Sequence, residues 1–141
     1  MKRRVAVLIS GRGSNMEALL AAASDPAYPA EIVLVLSNRP DAAGLGTARE
    51  AGIPALAIDH RPYAGDRAAH ERDIQAALET HRVEIVCLAG YLRRLTPFLV
   101  GRWAGRMLNV HPSLLPAFPG LDTHARALAA GVKLHLSLIH I

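Results

Sequence analysis

Residues 4–10 (RVAVLIS) read as a strand, with a continuous apolar run rich in Val and Ile between Arg4 and Ser10. A strand with one wet face alternates apolar and polar residues, so a continuous run needs cover on both sides. A parallel sheet with helices on both faces supplies that cover. Residues 32–37 (IVLVLS) and 84–89 (EIVCLA) repeat the pattern, and residues 54–59 (PALAID) and 106–110 (RMLNV) are shorter strand candidates. Helical segments fall between them. Met16, Leu19 and Leu20 sit at helical spacing in MEALLAAA, a second helix spans about 43–51 and stops at Gly52, and Asp66 opens a third that continues to about Thr80. Residues 97–103 (PFLVGRW) give a short fourth, in which Trp103 is expected to pack rather than bind. Strand and helix alternate throughout, which predicts an α/β fold with a doubly wound, mostly parallel, Rossmann-like sheet.

The chain has 141 residues, enough for one domain with a real core, and 51% hydrophobic against 20% charged residues marks it as globular. No apolar run approaches the length of a membrane span. Residues 1–9 begin with the basic start of a signal peptide, but the apolar run breaks at Gly11, so a cytoplasmic protein is expected. Cys87 is the only cysteine, which excludes an intrachain disulfide and a cysteine-based zinc site. The formal charge of +4 would suit nucleic acid, yet aromatics are only 4% and the basic residues are scattered. Anionic small molecules account for that charge equally well.

GRGSN (residues 11–15) stands between the first strand and the first helix. A helix that starts at a glycine turn presents free N–H groups and a positive dipole end, which suit a phosphate. A full dinucleotide fingerprint would place a third glycine where Met16 stands, so a monophosphate fits better. Gly13, Ser14 and Asn15 are the candidate contacts, although the glycines can serve only a tight turn and Ser14 or Asn15 only a helix cap. The second strand ends in Ser37, Asn38 and Arg39 rather than in an acid, which argues against NAD and leaves NADP open through Arg39.

Two further stretches bear on chemistry. GYLRRL (residues 90–95) leaves the carboxyl end of the fourth strand, the edge where open parallel sheets bind ligands. In the fifth strand Asn109 and His111 are two apart and therefore share a side, and Pro112, Pro116 and Pro119 stiffen the loop beyond them. An amide donor and an imidazole held together suit a site that needs preorganised donors, and a polar strand end whose Asn and His satisfy nearby backbone groups ranks second. Most of the charge on the third helix reads as a solvated face, with Arg67 in its first turn and His70 and His81 at the surface. Asp122 would cap a last helix over about 123–130, which carries His124 and ends at Gly131.

With GRGSN, AGYLRRL and NVHPSLLPAFPGLDTH in this order, the chain resembles the phosphoribosylglycinamide formyltransferases, folate-dependent enzymes of purine biosynthesis. NVHPSLLP is shared with other formyl-folate enzymes, and AFPGLDTH is particular to this branch. The resemblance implies the formyltransferase fold over residues 1–135 and transfer of a formyl group from 10-formyltetrahydrofolate to the amine of 5-phosphoribosylglycinamide. It implies the nucleotide phosphate at Gly13, Ser14 and Asn15, and the folate beside Leu92, Arg93, Arg94, Leu95 and Asn109, with Arg67 a further candidate. His111 would be the catalytic acid, and Asn109 would help hold the formyl oxygen. That chemistry requires no metal, no nucleic acid and no membrane.

The resemblance departs after His135. Relatives continue with a Gly, a Val-His strand and later an Asp that favours the imidazolium of the catalytic histidine, whereas this chain has LSLIHI at 136–141. The expectations are therefore a tail outside the family pattern, missing C-terminal strands, a sheet edge and an apolar face left uncovered, and impaired turnover. Rival readings are a formyltetrahydrofolate hydrolase, an NADP-binding module, and a folate or nucleotide binder without catalysis.

Overall fold

In a computed structural model that describes residues 1–111 and 137–140, strands and helices alternate as the apolar runs predict. The order is β1 (Arg3–Ile9), α1 (Ser14–Ala23), β2 (Ala30–Ser37), α2 (Ala43–Glu50), β3 (Ala55–Ala57), α3 (Arg67–Thr80), β4 (Ile85–Ala89), α4 (Pro97–Arg102), β5 (Met107–His111) and β6 (Ser137–His140), with a 3-10 turn at Arg61–Tyr63. They form one sheet in the order β3-β2-β1-β4-β5-β6. β1 to β5 are parallel and β6 runs antiparallel to β5. This is the doubly wound arrangement, in which the chain starts at the centre, winds to one edge, and returns to build the other half.

The unbroken apolar run of β1 has a direct cause. Val5, Val7 and Ile9 pack with Met16, Leu45 and Ala48 of α1 and α2. Ala6 and Leu8 point the other way, into a second cluster with Ile74, Leu78, Leu99 and Trp103 on the side of α3 and α4. From Val5 to Ile9 neither face of β1 meets water. β2 does the same, with a register shift where Val5 pairs with Ile32 and Ala6 with Leu34. Val33 is the extra residue, and it and Leu34 both join the α3 and α4 side.

Two expectations change in detail. β3 shrinks to three residues because it lies at the edge and Leu56 is exposed, although Val35 N–H still reaches Pro54 O and Ile58 N–H reaches Ser37 O, each at 2.9 Å. His70 is buried, not superficial, with its Nε2 2.6 Å from the Ile58 carbonyl oxygen. Glu71 beside it is buried too, the exception on a helix whose other charges, Arg67, Arg72, Asp73 and Glu79, are solvated as expected. Trp103 packs as expected, buried, with its Nε1–H donating to Gln75 Oε1 at 2.7 Å.

Ser137–His140 supplies β6, whose residues pair with Leu108 to His111, so β5 is not the sheet edge. On the α1 side a groove of about 270 Å³ is lined by apolar side chains including Val5, Leu19, Ile85, Leu108 and Val110. Cys87 lines it half-buried, and burial raises its thiol pKa, which keeps it protonated and a poor nucleophile. The expected proline loop, the Asp122 cap, the helix with His124 and Gly131, and His135 lie outside the described residues.

Candidate functional site

The doubly wound order reverses between β1 and β4, and the loops that leave the carboxyl ends of those two strands are GRGSN and GYLRRL. Such a switch point opens a crevice because neighbouring connections depart to opposite faces. Here the two loops are tied directly. Ser10 N–H donates to Gly90 O at 3.1 Å, and Leu92 N–H donates to Ser10 Oγ at 2.8 Å. The phosphate-loop candidate and the folate-loop candidate are thus neighbours.

Gly13 is the N-cap of α1 in left-handed geometry, φ 74° and ψ 44°, which a residue with a Cβ adopts only under strain. Gly11 meets no such constraint, since a Cβ there would have nothing within 4 Å. No side chain caps α1, so neither Ser14 nor Asn15 is used up in that role, and both are exposed. Glu17 N–H is the first to bond back, to Gly13 O at 2.9 Å, so the amides of Ser14, Asn15 and Met16 precede the helical ladder. Gly44 of α2 supports the loop from behind: its N–H donates to Gly11 O at 3.1 Å.

In the second loop Gly90 has φ 74°, Leu92 is 82% exposed, Arg94 is exposed, and Arg93 and Leu95 are half-buried. Tyr91 and Leu95 pack on the cluster beneath α3 and α4. Burial pushes the Tyr91 hydroxyl well above the ordinary phenol range, with Arg93 opposing and Glu71 adding to the shift. Arg67 is exposed at the start of α3, one turn before Glu71 and so on the same side of the helix. Asn109 lies on β5 opposite Leu88 of β4, half-buried, and His111 closes the strand with its backbone paired to Ser137.

A buried polar chain crosses beneath these loops, unanticipated from sequence. Ser10 Oγ–H donates to Asn38 Oδ1 at 2.6 Å, and His60 Nδ1 is 3.1 Å from both Asn38 Nδ2 and the Asn38 carbonyl oxygen. Arg39, the sequence candidate for NADP, is exposed and paired with Asp41 at 3.3 Å. Among the described residues no cluster of three or more His, Cys, Asp or Glu could hold a metal, and no helix is long and apolar enough to cross a membrane.

Strand order and loops together define an open α/β domain of the doubly wound class, in which the loops after β1 and β4 meet at the switch point. The sequence model of the formyl transferase family matches residues 3–141, and the chain belongs to that family. It is 48% identical over 139 residues to the trifunctional purine biosynthetic protein adenosine-3 of Bos taurus, covering 99% of this chain and 14% of that protein. It is 40% identical to the phosphoribosylglycinamide formyltransferase of Escherichia coli K12, covering 96% of this chain and 64% of that one. The crystal structure of phosphoribosylglycinamide formyltransferase from Brucella melitensis superposes with a TM-score of 0.92 at 48% identity, covering 99% of this chain and 73% of that chain. The chain therefore spans about a seventh of the multifunctional relative and roughly two thirds to three quarters of the bacterial ones.

Proposed function

We propose that this domain transfers the formyl group of 10-formyltetrahydrofolate to the amine of 5-phosphoribosylglycinamide, a step of purine biosynthesis in the cytoplasm. The observation that carries the reading is the tie between the loops after β1 and β4, made through Ser10, at the point where the sheet order reverses. A phosphate-bearing amine held by Gly13, Ser14 and Asn15 would thereby lie next to a formyl donor held by Leu92, Arg93, Arg94, Leu95 and Arg67. Asn109 pairs with Leu88 of β4, the strand that leads into that donor segment.

In this reading the amine nitrogen attacks the formyl carbon, and a C–N bond forms as the carbonyl oxygen takes up negative charge. Asn109 and a protonated His111, two apart on one strand and so sharing a side, are suited to donate hydrogen bonds to that oxygen. The bond from the formyl carbon to the folate nitrogen then breaks, and the proton lost by the amine ends on that nitrogen. A histidine can relay it, since imidazole exchanges protons near neutral pH.

The test is a formyl-transfer assay that follows deformylated folate with both substrates present. His111→Ala should lower kcat by about a hundredfold or more while each KM stays within about threefold of the parent. Equal kcat in parent and variant would remove His111 from the mechanism. Formate release without the ribonucleotide would show a hydrolase instead.

A further inference from the structure

The loop at residues 90–96 is fixed at its far end by a side chain from a different element. Glu71 of α3 is 2% exposed, and both of its carboxylate oxygens face the start of α4. Oε2 accepts from Thr96 N–H at 2.8 Å, and Oε1 accepts from the Thr96 hydroxyl at 2.5 Å and from Leu99 N–H at 3.3 Å. Thr96 is the N-cap of α4, yet its side chain makes no capping bond. The amides at a helix start are ordinarily met by the N-cap side chain. Here a carboxylate reaching in from α3 takes over that task, and the Thr96 hydroxyl turns to the same carboxylate.

The consequence falls on the residues just upstream. Leu92 is pinned by its N–H to Ser10 Oγ, and Thr96 by two bonds to Glu71, so residues 92–95 are strung between two buried polar anchors. At 82% exposed, Leu92 has little packing of its own to hold it. Leu95 packs on the cluster beneath α3 and α4, so the backbone at the Leu92 end depends most on the anchors. Arg67 stands one turn before Glu71, so the helix that carries the anchor also carries this further folate candidate.

We propose that Glu71 is a positioning residue for the formyl-folate, acting through Thr96 to hold residues 92–95 and Arg67 in one arrangement. This rests on the reading of those residues as the folate contacts. A carboxylate is needed because three donors converge on it, and a glutamine would turn an NH2 group toward one of them. Aspartate keeps two acceptor oxygens but is shorter by one methylene, so it should restore part of the function.

The experiment titrates 10-formyltetrahydrofolate and, separately, 5-phosphoribosylglycinamide into the parent chain, Glu71→Gln and Glu71→Asp by calorimetry, with amide exchange read at Thr96 and Leu99. Glu71→Gln should weaken the folate by about fivefold or more, leave the ribonucleotide within about twofold, and lose protection at both amides, with Glu71→Asp in between. If Glu71→Gln does not fold, Thr96→Val, which removes only the hydroxyl donor, should shift folate affinity in the same direction. Folate binding unchanged in the folded variants, or both ligands weakened alike as general loosening would produce, overturns the role of Glu71 and leaves the site reading standing. A parent chain that binds no folate overturns the site reading, and the role of Glu71 falls with it.

Discussion

His70 shows what a single side chain can hide in a charged sequence. Its ring is buried, makes edge-on contact with Tyr63 at 5.1 Å, and has Nε2 2.6 Å from the Ile58 carbonyl oxygen. Burial lowers its pKa below the ordinary histidine value, and the bond to Ile58 offsets only part of that. As pH falls through about 6.5 the unfolded chain takes up this proton before the folded one does. The stabilising contribution is therefore complete above that pH and is lost progressively below it. Denaturation at about pH 7.5 and about pH 5.5 should show a larger loss for the parent than for His70→Gln, and equal losses would remove His70 as the cause. Nothing in AHERD announces this burial, because the partners of His70 and Glu71, the Ile58 carbonyl and the Thr96 donors, come from other elements. Asn109 and His111 could be proposed as a pair from the sequence for the opposite reason: strand alternation is local and needs no partner to be read.

At the scale of elements, α2 was legible as a helix, but its role against the first loop was not. An added Cβ at Gly44 would lie 2.4 Å from Ile9 Cδ1, 2.9 Å from Arg12 O and 3.1 Å from Gly11 O. The Ile9 methyl can swing aside; the two carbonyls belong to the loop itself. Gly44→Ala should thus force α2 and GRGSN apart, costing about 1–3 kcal/mol despite the better helix propensity of alanine, and weaken phosphate binding. Gly46, on the same helix, has nothing within 4 Å of its added Cβ, so Gly46→Ala should be neutral or gain up to about 1 kcal/mol. Thermal unfolding and inorganic phosphate titration of the pair check this, and identical behaviour of the two variants would show that the close approach does not hold the loop. The same contrast explains what was readable among strands. Central β1, β2 and β4 announced themselves by unbroken apolar runs, whereas β3, paired along one side only, keeps three of the six residues expected.

At the scale of the whole molecule, the sheet order places β1 at the centre, so Ser10 at its carboxyl end stands where both halves of the fold meet. Its hydroxyl donates to Asn38 after β2 and accepts from Leu92 N–H after β4, while its own N–H holds Gly90 O. Ser10→Ala leaves an amide N–H and a buried Asn38 oxygen without their partner together, which should cost about 1–3 kcal/mol. Because the lost bonds reach both ways, affinity for 5-phosphoribosylglycinamide and for the formyl-folate should fall together. Gly44→Ala acts on one loop and Glu71→Gln on the other, so their effects on stability should add when combined, since they share no hydrogen-bond partner. Ser10→Ala combined with Glu71→Gln should not add, because after either change the segment between Leu92 and Thr96 is already released at one end. Denaturant melts of the single and double variants measure both couplings. Strict additivity of the Ser10 and Glu71 changes would mean that the two anchors act independently and that the loop is not strung between them.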